Sequence, residues 1–343
     1  MSNILEPVTW QWSAGQLPER HSVYHDAAYQ QLFAECDGSK ARLLEGVIGK
    51  KQIFLPVLVK ELGGGIKEAY SAYGYGGFMG DISLSEDHFD GMKAFLASES
   101  IVALFLRHSP FLHNHELVPA QEIVINRYTY AASLKEHESF DDYVNELPQK
   151  VRWSVNFARR SGLRIDFREL SNSTNYRNID AFYCLYDELM EQKQTYSYYR
   201  FSKKIFHDHI RLIGRYCELA EVIDPKSNRA LGGAFFLFDN MGWVHYHLSA
   251  ASKDVMKLQG MEYLIATAIH RYGQMGYQFI HLGGGHSLDE SDGLSRFKSK
   301  FSNNRLEFYC SKIVCDECGY ESERNRIPLK NSSLFLISDA RQS

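Results

Sequence analysis

One order of elements, strand–strand–strand–helix–strand followed by a closing strand, is legible twice along the chain, and it limits the possible folds severely. In the first half, residues 42–47 and 52–60 flank a Gly49-Lys50 turn as a β-hairpin, and 66–73 add an aromatic third strand. A helix near 86–97, a strand at 101–107 and a strand at 122–130 follow. An amphipathic helix at 27–36, with Tyr29, Leu32 and Phe33 on one stripe, precedes them. The second half runs helices at 178–192 and 202–213, then a meander at 216–223, 230–238 and 243–249. A long helix at 258–275 follows, with Leu258, Met261, Leu264, Ile265, Ala268, Tyr272 and Met275 on one stripe. A strand at 277–282 and a last strand at 306–314 close the half. A meander followed by alternating helix and strand builds a mixed sheet with helices on its faces, so the expectation is an α/β fold made of two copies of one unit. The expected division is 1–135, 136–325 with the probable active site, and a tail at 326–343.

Length and charge narrow the function. The 343 residues, 44% hydrophobic and 23% charged, suit two globular domains. A formal net charge of −4 argues against a protein that coats nucleic acid or anionic membrane non-specifically, and leaves room for a local basic patch. The first residues lack a basic start with an apolar core, and no apolar run is long enough to span a bilayer, so a cytoplasmic location is expected. Six cysteines in this length make no disulfide framework. Cys315 and Cys318 have zinc-ligand spacing but lack a second pair, so no metal site is expected.

Residues 276–301 carry the densest chemistry. A short apolar strand runs into Gly283, Gly284 and Gly285, then a polar loop with His286, Asp289, Glu290 and Asp292, then a helix with Leu294, Phe297 and Phe301 on one face. Glycines after a buried strand let backbone N–H groups approach a ligand, although a tight strand-to-helix connection needs them equally. Lys298 lies at the boundary of the apolar face, where an amine reaches a pocket and its removal costs little stability. His245 and His247 share a strand face, with His281 on the following strand; each is either a core histidine or a proton acceptor. Tyr196, Tyr198, Tyr199 and Arg200 follow a helix, as groove lining or as surface aromatics.

Residues 148–168 contain Lys150, Arg152, Arg159, Arg160, Arg164 and Arg168 against a single acid, Asp166. The face opposite Val151, Val155 and Ala158 is either a solvated helix surface or a phosphate-binding patch.

These stretches together resemble the Fem-type acyltransferases, the FemAB-like branch of the GNAT superfamily, over most of residues 23–320. Ser71-Ala72-Tyr73-Gly74-Tyr75-Gly76-Gly77 is similar to that family's PYGYGG segment, and residues 150–162 to its basic helix ending in glycine. Tyr246-His247-Leu248-Ser249 resembles its YHLS strand, and 281–301 its HLGGG…LxxFKxxF block. The resemblance implies two tandem GNAT-like domains and transfer of an acyl group from an aminoacyl-tRNA or acyl-CoA, with no permanently bound cofactor. The acceptor would be an amine of a cell-envelope precursor, such as a peptidoglycan peptide or amino sugar. Within that reading the residues expected to act are Lys298, His247 and His281 in catalysis; Gly283, Gly284, Gly285, Tyr199, Arg200, Tyr73 and Tyr75 in substrate binding; and Lys150, Arg152, Arg159, Arg160, Gln259 and Gly260 in donor binding. Only part of the GNAT pyrophosphate loop survives, in Leu258-Gln259-Gly260-Met261, and the helical arm of some relatives is missing. The other reading is an inert module that uses the duplicated fold to hold RNA or a nucleotide-linked sugar.

Overall fold

The computed structural model describes residues 7–171, 176–193, 200–289, 291–327 and 334–342. The chain forms two compact units, Met1–Asn126 with Glu307–Ser343, and Arg127–Leu306. The first unit begins with β1 (Thr9–Ser13) and helix α1 (Ala27–Asp37), followed by the antiparallel meander β2 (Lys40–Ile48), β3 (Lys51–Gly63) and β4 (Ile66–Tyr70). Asp26 caps the first turn of α1 through the Ala28 N–H, and Gly38 ends that helix in the left-handed region, φ 74°. β5 (Met79–Gly80) pairs with β3, and α2 (Glu86–Ser98) leads to β6 (Ile101–Arg107), parallel to β4. A Ser85/His88 capping box starts α2, whose Phe89, Met92 and Leu96 pack with Leu44, Ile53, Leu55 and Leu104 in this unit's core.

β7 (Val124–Ser133) carries the chain into the second unit, followed by α3 (Phe140–Glu146), α4 (Gln149–Arg160), β8 (Arg164–Glu169), α5 (Arg177–Lys193) and α6 (Lys203–Ile213). The meander β9 (Cys217–Ile223), β10 (Ala230–Phe238) and β11 (Trp243–Ala251) comes next, then α7 (Lys253–Lys257), α8 (Gly260–Gln274), β12 (Phe279–Gly284) and α9 (Gly293–Ser299). Strand order here is β7-β12-β11-β10-β9-β8, with only β11 and β12 parallel, because α8 crosses between them. The α8 stripe is buried as its periodicity requires: Met261, Leu264, Ile265, Ala268 and Tyr272 pack against Val222, Phe236, Val244 and Ile280. Met275, at the far end of that stripe, is exposed.

The chain then returns to the first unit through β13 (Asn304–Val314), α10 (Glu317–Arg324) and α11 (Ile337–Gln342). The element order expected from the sequence is present twice, but the closing strands are exchanged. The strand expected to close the first copy pairs with β12, from Thr129↔Gly284 to Ser133↔Phe279. The strand expected to close the second pairs with β6, Cys310↔Arg107 to Val314↔Ala103. Hydrophobic alternation marks a strand but carries no information on its ladder partner. Within the stretch expected as a tail, Leu336, Ile337 and Ala340 are buried. Among the described residues no helix is long and apolar enough to cross a membrane.

The C-terminal helix is held by a buried carboxylate. Glu68 is fully buried on β4 and accepts the Ile337 N–H at 2.8 Å and the Ser338 N–H at 3.2 Å. Burial raises its pKa above the ordinary 4.5 despite these hydrogen bonds. An acid whose folded value is raised binds more protons folded than unfolded, so its contribution to stability declines as pH rises from about 4.5 through the raised value. Asp339 is raised by burial and adds in the same direction. Urea midpoints measured across pH should therefore fall with rising pH more steeply in the wild type than in Glu68→Gln. Parallel curves would remove Glu68 as the source.

Candidate functional site

In the second unit β11 and β12 run side by side only over Trp243↔Phe279, Val244↔Ile280 and His245↔His281. Beyond that register β11 continues its pairing with β10, and β12 continues along β7 through a bulge between His281 and Gly283. The two parallel strands therefore part at the two histidines. Gly283 has φ 74°, which the bulge requires and which glycine adopts without strain. A Cβ on Gly284 would lie 2.5 Å from the Tyr128 carbonyl oxygen, and one on Gly285 would meet Asp292 and Ser295. Packing alone thus accounts for both of these glycines. Gly284→Ala forces β7 and β12 apart and should cost about 1–3 kcal/mol of stability, the range for overpacking a tight contact. An unchanged urea midpoint would show that the ladder yields freely.

Helix α9 starts where Asp292 caps the N–H groups of Leu294 and Ser295, at 2.8 and 3.0 Å. It delivers Lys298 to the end of β12. The ammonium donates to the Gly284 carbonyl at 2.8 Å, stands 6.0 Å over the Tyr246 ring, and the residue is only 9% exposed. The sequence placed Lys298 near the boundary of the apolar face, its stem packed and its amine toward a pocket; the structure buries the residue and ties its ammonium to the Gly284 carbonyl. Arg127 holds the next carbonyl, Gly285, at 2.9 Å.

Four histidines converge beside this point. His245 and His281 have ring centroids 6.0 Å apart, and His209 of α6 lies 5.5 Å from His247. Asp239, fully buried in its side chain, is 3.2 Å from His245 Nε2. Burial, then His209 and His245, hold His247 well below the usual imidazole range; burial, then His245 and the Lys298 charge, do the same for His281. His209 is pushed down to about 4, chiefly by burial. The three imidazoles are therefore neutral at pH 7, and Lys298 is the cation beside them. His286, in contrast, is exposed. Sequence reading did not single out His209 or Asp239. The signal for His209 was a polar residue one turn from both Ile205 and Ile213 on the apolar face of α6. Asp239 gave none, because its role depends on the β10–β11 turn folding back toward His245.

Tyr73 stacks on Phe33, and Tyr75 packs edge-on against Tyr24, Phe111 and Phe308, within the first unit. Arg200 pairs with Asp187 at 3.0 Å and Glu191 at 3.5 Å. Tyr196, Tyr198, Tyr199 and Glu290 lie outside the described residues. Ser154 of α4 donates to the Gln259 side chain at 3.1 Å, so the basic helix adjoins the start of α8. Gly260 is needed there for packing, since a Cβ would meet Val255 at 2.3 Å. Glu262 occupies the first turn of α8, 9% exposed and bound to Lys300 at 3.0 Å. A carboxylate at this position already answers the positive end of the helix. Of the basic residues, Arg159 pairs with Asp141 at 2.6 Å, and Arg164 belongs to β8, where it pairs with Asp166. Lys150, Arg152 and Arg160 have no carboxylate partner among the described residues.

A cavity of about 750 Å³ in the same unit is lined by Arg164, Arg168, Arg177, Asp187, Glu188 and Glu221, among others. Neither Lys298 nor the glycine run borders it, and Arg164 and Arg168 are already paired with Asp166 and Glu221. Its size alone does not make it the reactive centre.

No family model matches the chain, and no curated protein matches its sequence. Solved structures do. FemX superposes with a TM-score of 0.64 at 13% identity, over 89% of this chain and 95% of that one. The C-terminal domain of a putative lysylphosphatidylglycerol synthetase from Agrobacterium fabrum gives 0.51 at 14%, over 84% and 87%. L-PGS from Bacillus licheniformis gives 0.50 at 13%, over 85% and 94%. Likeness at these identities concerns the fold alone: the chain shares the fold of FemX, in line with the expected Fem-type resemblance, and the expected mixed α/β sheet is present.

Proposed function

We propose that this chain is an N-acyltransferase that joins an aminoacyl or acyl group to an amine of a cell-envelope precursor, such as a peptidoglycan peptide or amino sugar. The observation that carries this reading is Lys298, a buried ammonium fixed by the Gly284 carbonyl where β11 and β12 part. Its likeness in fold to FemX and L-PGS supports the same class.

The amine nitrogen attacks the carbonyl carbon of an activated ester, and the carbonyl electrons move onto oxygen. Lys298 supplies the positive charge for that oxyanion. Collapse breaks the carbon–oxygen bond to the leaving hydroxyl, which takes up a proton as the attacking nitrogen loses one. His281 or His247, neutral through burial, is available to pass that proton.

For the donor the reading is an aminoacyl-tRNA. α4 offers cations without carboxylate partners, whereas at the start of α8 Lys300 is already paired with the Glu262 carboxylate and so is not an unpaired cation for a pyrophosphate. Incubation with charged tRNA or with acetyl-CoA, each with envelope-precursor extract and mass spectrometry of the products, tests both parts. Amide products from charged tRNA are expected. Products from acetyl-CoA alone would reverse the donor assignment, and none from either donor would remove the enzyme reading.

A further inference from the structure

Helix α4 buries Val151, Ser154, Val155 and Ala158. On its outward side Trp153 is 57% exposed, and Phe157, one turn on, stacks against it with centroids 5.2 Å apart and planes 7° from parallel. Lys150 and Arg160 are exposed on the same side of the helix, which contains no acid. Exposing a tryptophan this far leaves much of a large apolar face in water, and nothing in the packing of α4 requires it there. What the pair offers is a flat aromatic face bordered by cations, in a chain whose formal net charge is −4.

We infer that Trp153 and Phe157 form a stacking platform for an unpaired base of a single-stranded nucleic acid, with Lys150 and Arg160 on the adjoining phosphates. Every base has a π face, so such a platform binds without reading sequence, while the cations contribute the salt-dependent part. The rest of the outward side, Gln149, Arg152 and Asn156, is polar, which disfavours a bilayer because an interfacial helix needs a broad apolar face. The inference rests on the reading of an RNA-borne donor and assigns that donor a subsite.

Anisotropy titration of a dye-labelled short oligoadenylate across a salt series tests it, because the label reports binding by the wild type and by variants that lack Trp153. Trp153→Ala should bind roughly 10-fold or more weaker with an unchanged log–log salt slope, and Trp153→Phe should recover most of the loss. Thermal unfolding should match the wild type, because the side chain is exposed. Equal binding by wild type and Trp153→Ala would overturn the platform and leave the RNA-borne donor standing. If the wild type binds neither oligoadenylate nor charged tRNA at low salt, both fall. If Trp153→Ala loses binding to phosphatidylglycerol vesicles while its RNA binding is unchanged, the surface belongs to a membrane and the inference is overturned.

Discussion

Lys298→Met should retain the fold and lose acyl transfer by roughly 100-fold or more, the scale for removing one group that stabilises an oxyanion. The loss should fall on kcat, because the charge on the oxygen exists in the transition state and not in the bound ester. Methionine keeps most of the side-chain volume, so the space beside Gly284 and Tyr246 stays filled. It cannot donate to the Gly284 carbonyl, and a buried acceptor left without its donor costs about 1–3 kcal/mol. A lower melting temperature with a cooperative transition is therefore part of the expectation. His281 adds a spectroscopic check. The Lys298 charge helps to depress its pKa, so in the variant its imidazole should titrate at higher pH, visible by NMR. Wild-type turnover would end the catalytic role. Lost turnover with an unfolded spectrum would assign Lys298 to structure, and an inert binding module would then be the better account.

Much of the framework was legible because the signals were local. The α8 stripe, the hairpin turns and the glycines at the end of β12 each follow from residues close in sequence. The exchange of β7 and β13 was not legible, because a strand's own residues do not name its ladder partner. The site shows the same division. Lys298 stood out through its place in the 276–301 block, but its burial depends on the Gly284 carbonyl and Tyr246, which reach it only once the sheet has formed. The glycine run looked like a ligand cradle, yet the Tyr128 carbonyl beside Gly284, and Asp292 and Ser295 beside Gly285, require no Cβ there. Trp153 could have been found from sequence as the large apolar residue on the wrong side of a basic helix.

Neutralising Lys150, Arg152 and Arg160 together should weaken binding of charged tRNA by about 100-fold near 0.1 M salt and reduce the log–log salt slope by about two. The estimate takes one phosphate contact per cation and the smaller counterion release of a single strand. The choice of cations follows from the structure. Sequence alone would favour Arg159, Arg160 and Arg164 as the triple, but Arg159 is neutralised by Asp141, and Arg164 is held by Asp166 through two hydrogen bonds. Removing a guanidinium that already has a carboxylate changes the local field less than removing one that has none. The Arg159/Arg160/Arg164 triple should therefore flatten the slope by less, and the two triples serve as controls for each other. An acyl-CoA donor predicts something different. Its phosphates would have to settle near Gln259 and Gly260 despite the Glu262 carboxylate, and acetyl-CoA affinity should then rise in Glu262→Gln. Calorimetry with acetyl-CoA on that variant, beside filter binding of charged tRNA to both triples, decides between the donors. Equal tRNA binding by the wild type and the Lys150/Arg152/Arg160 triple would remove α4 from donor recognition. A gain in acetyl-CoA affinity on Glu262→Gln alongside it would place the donor phosphates at the start of α8.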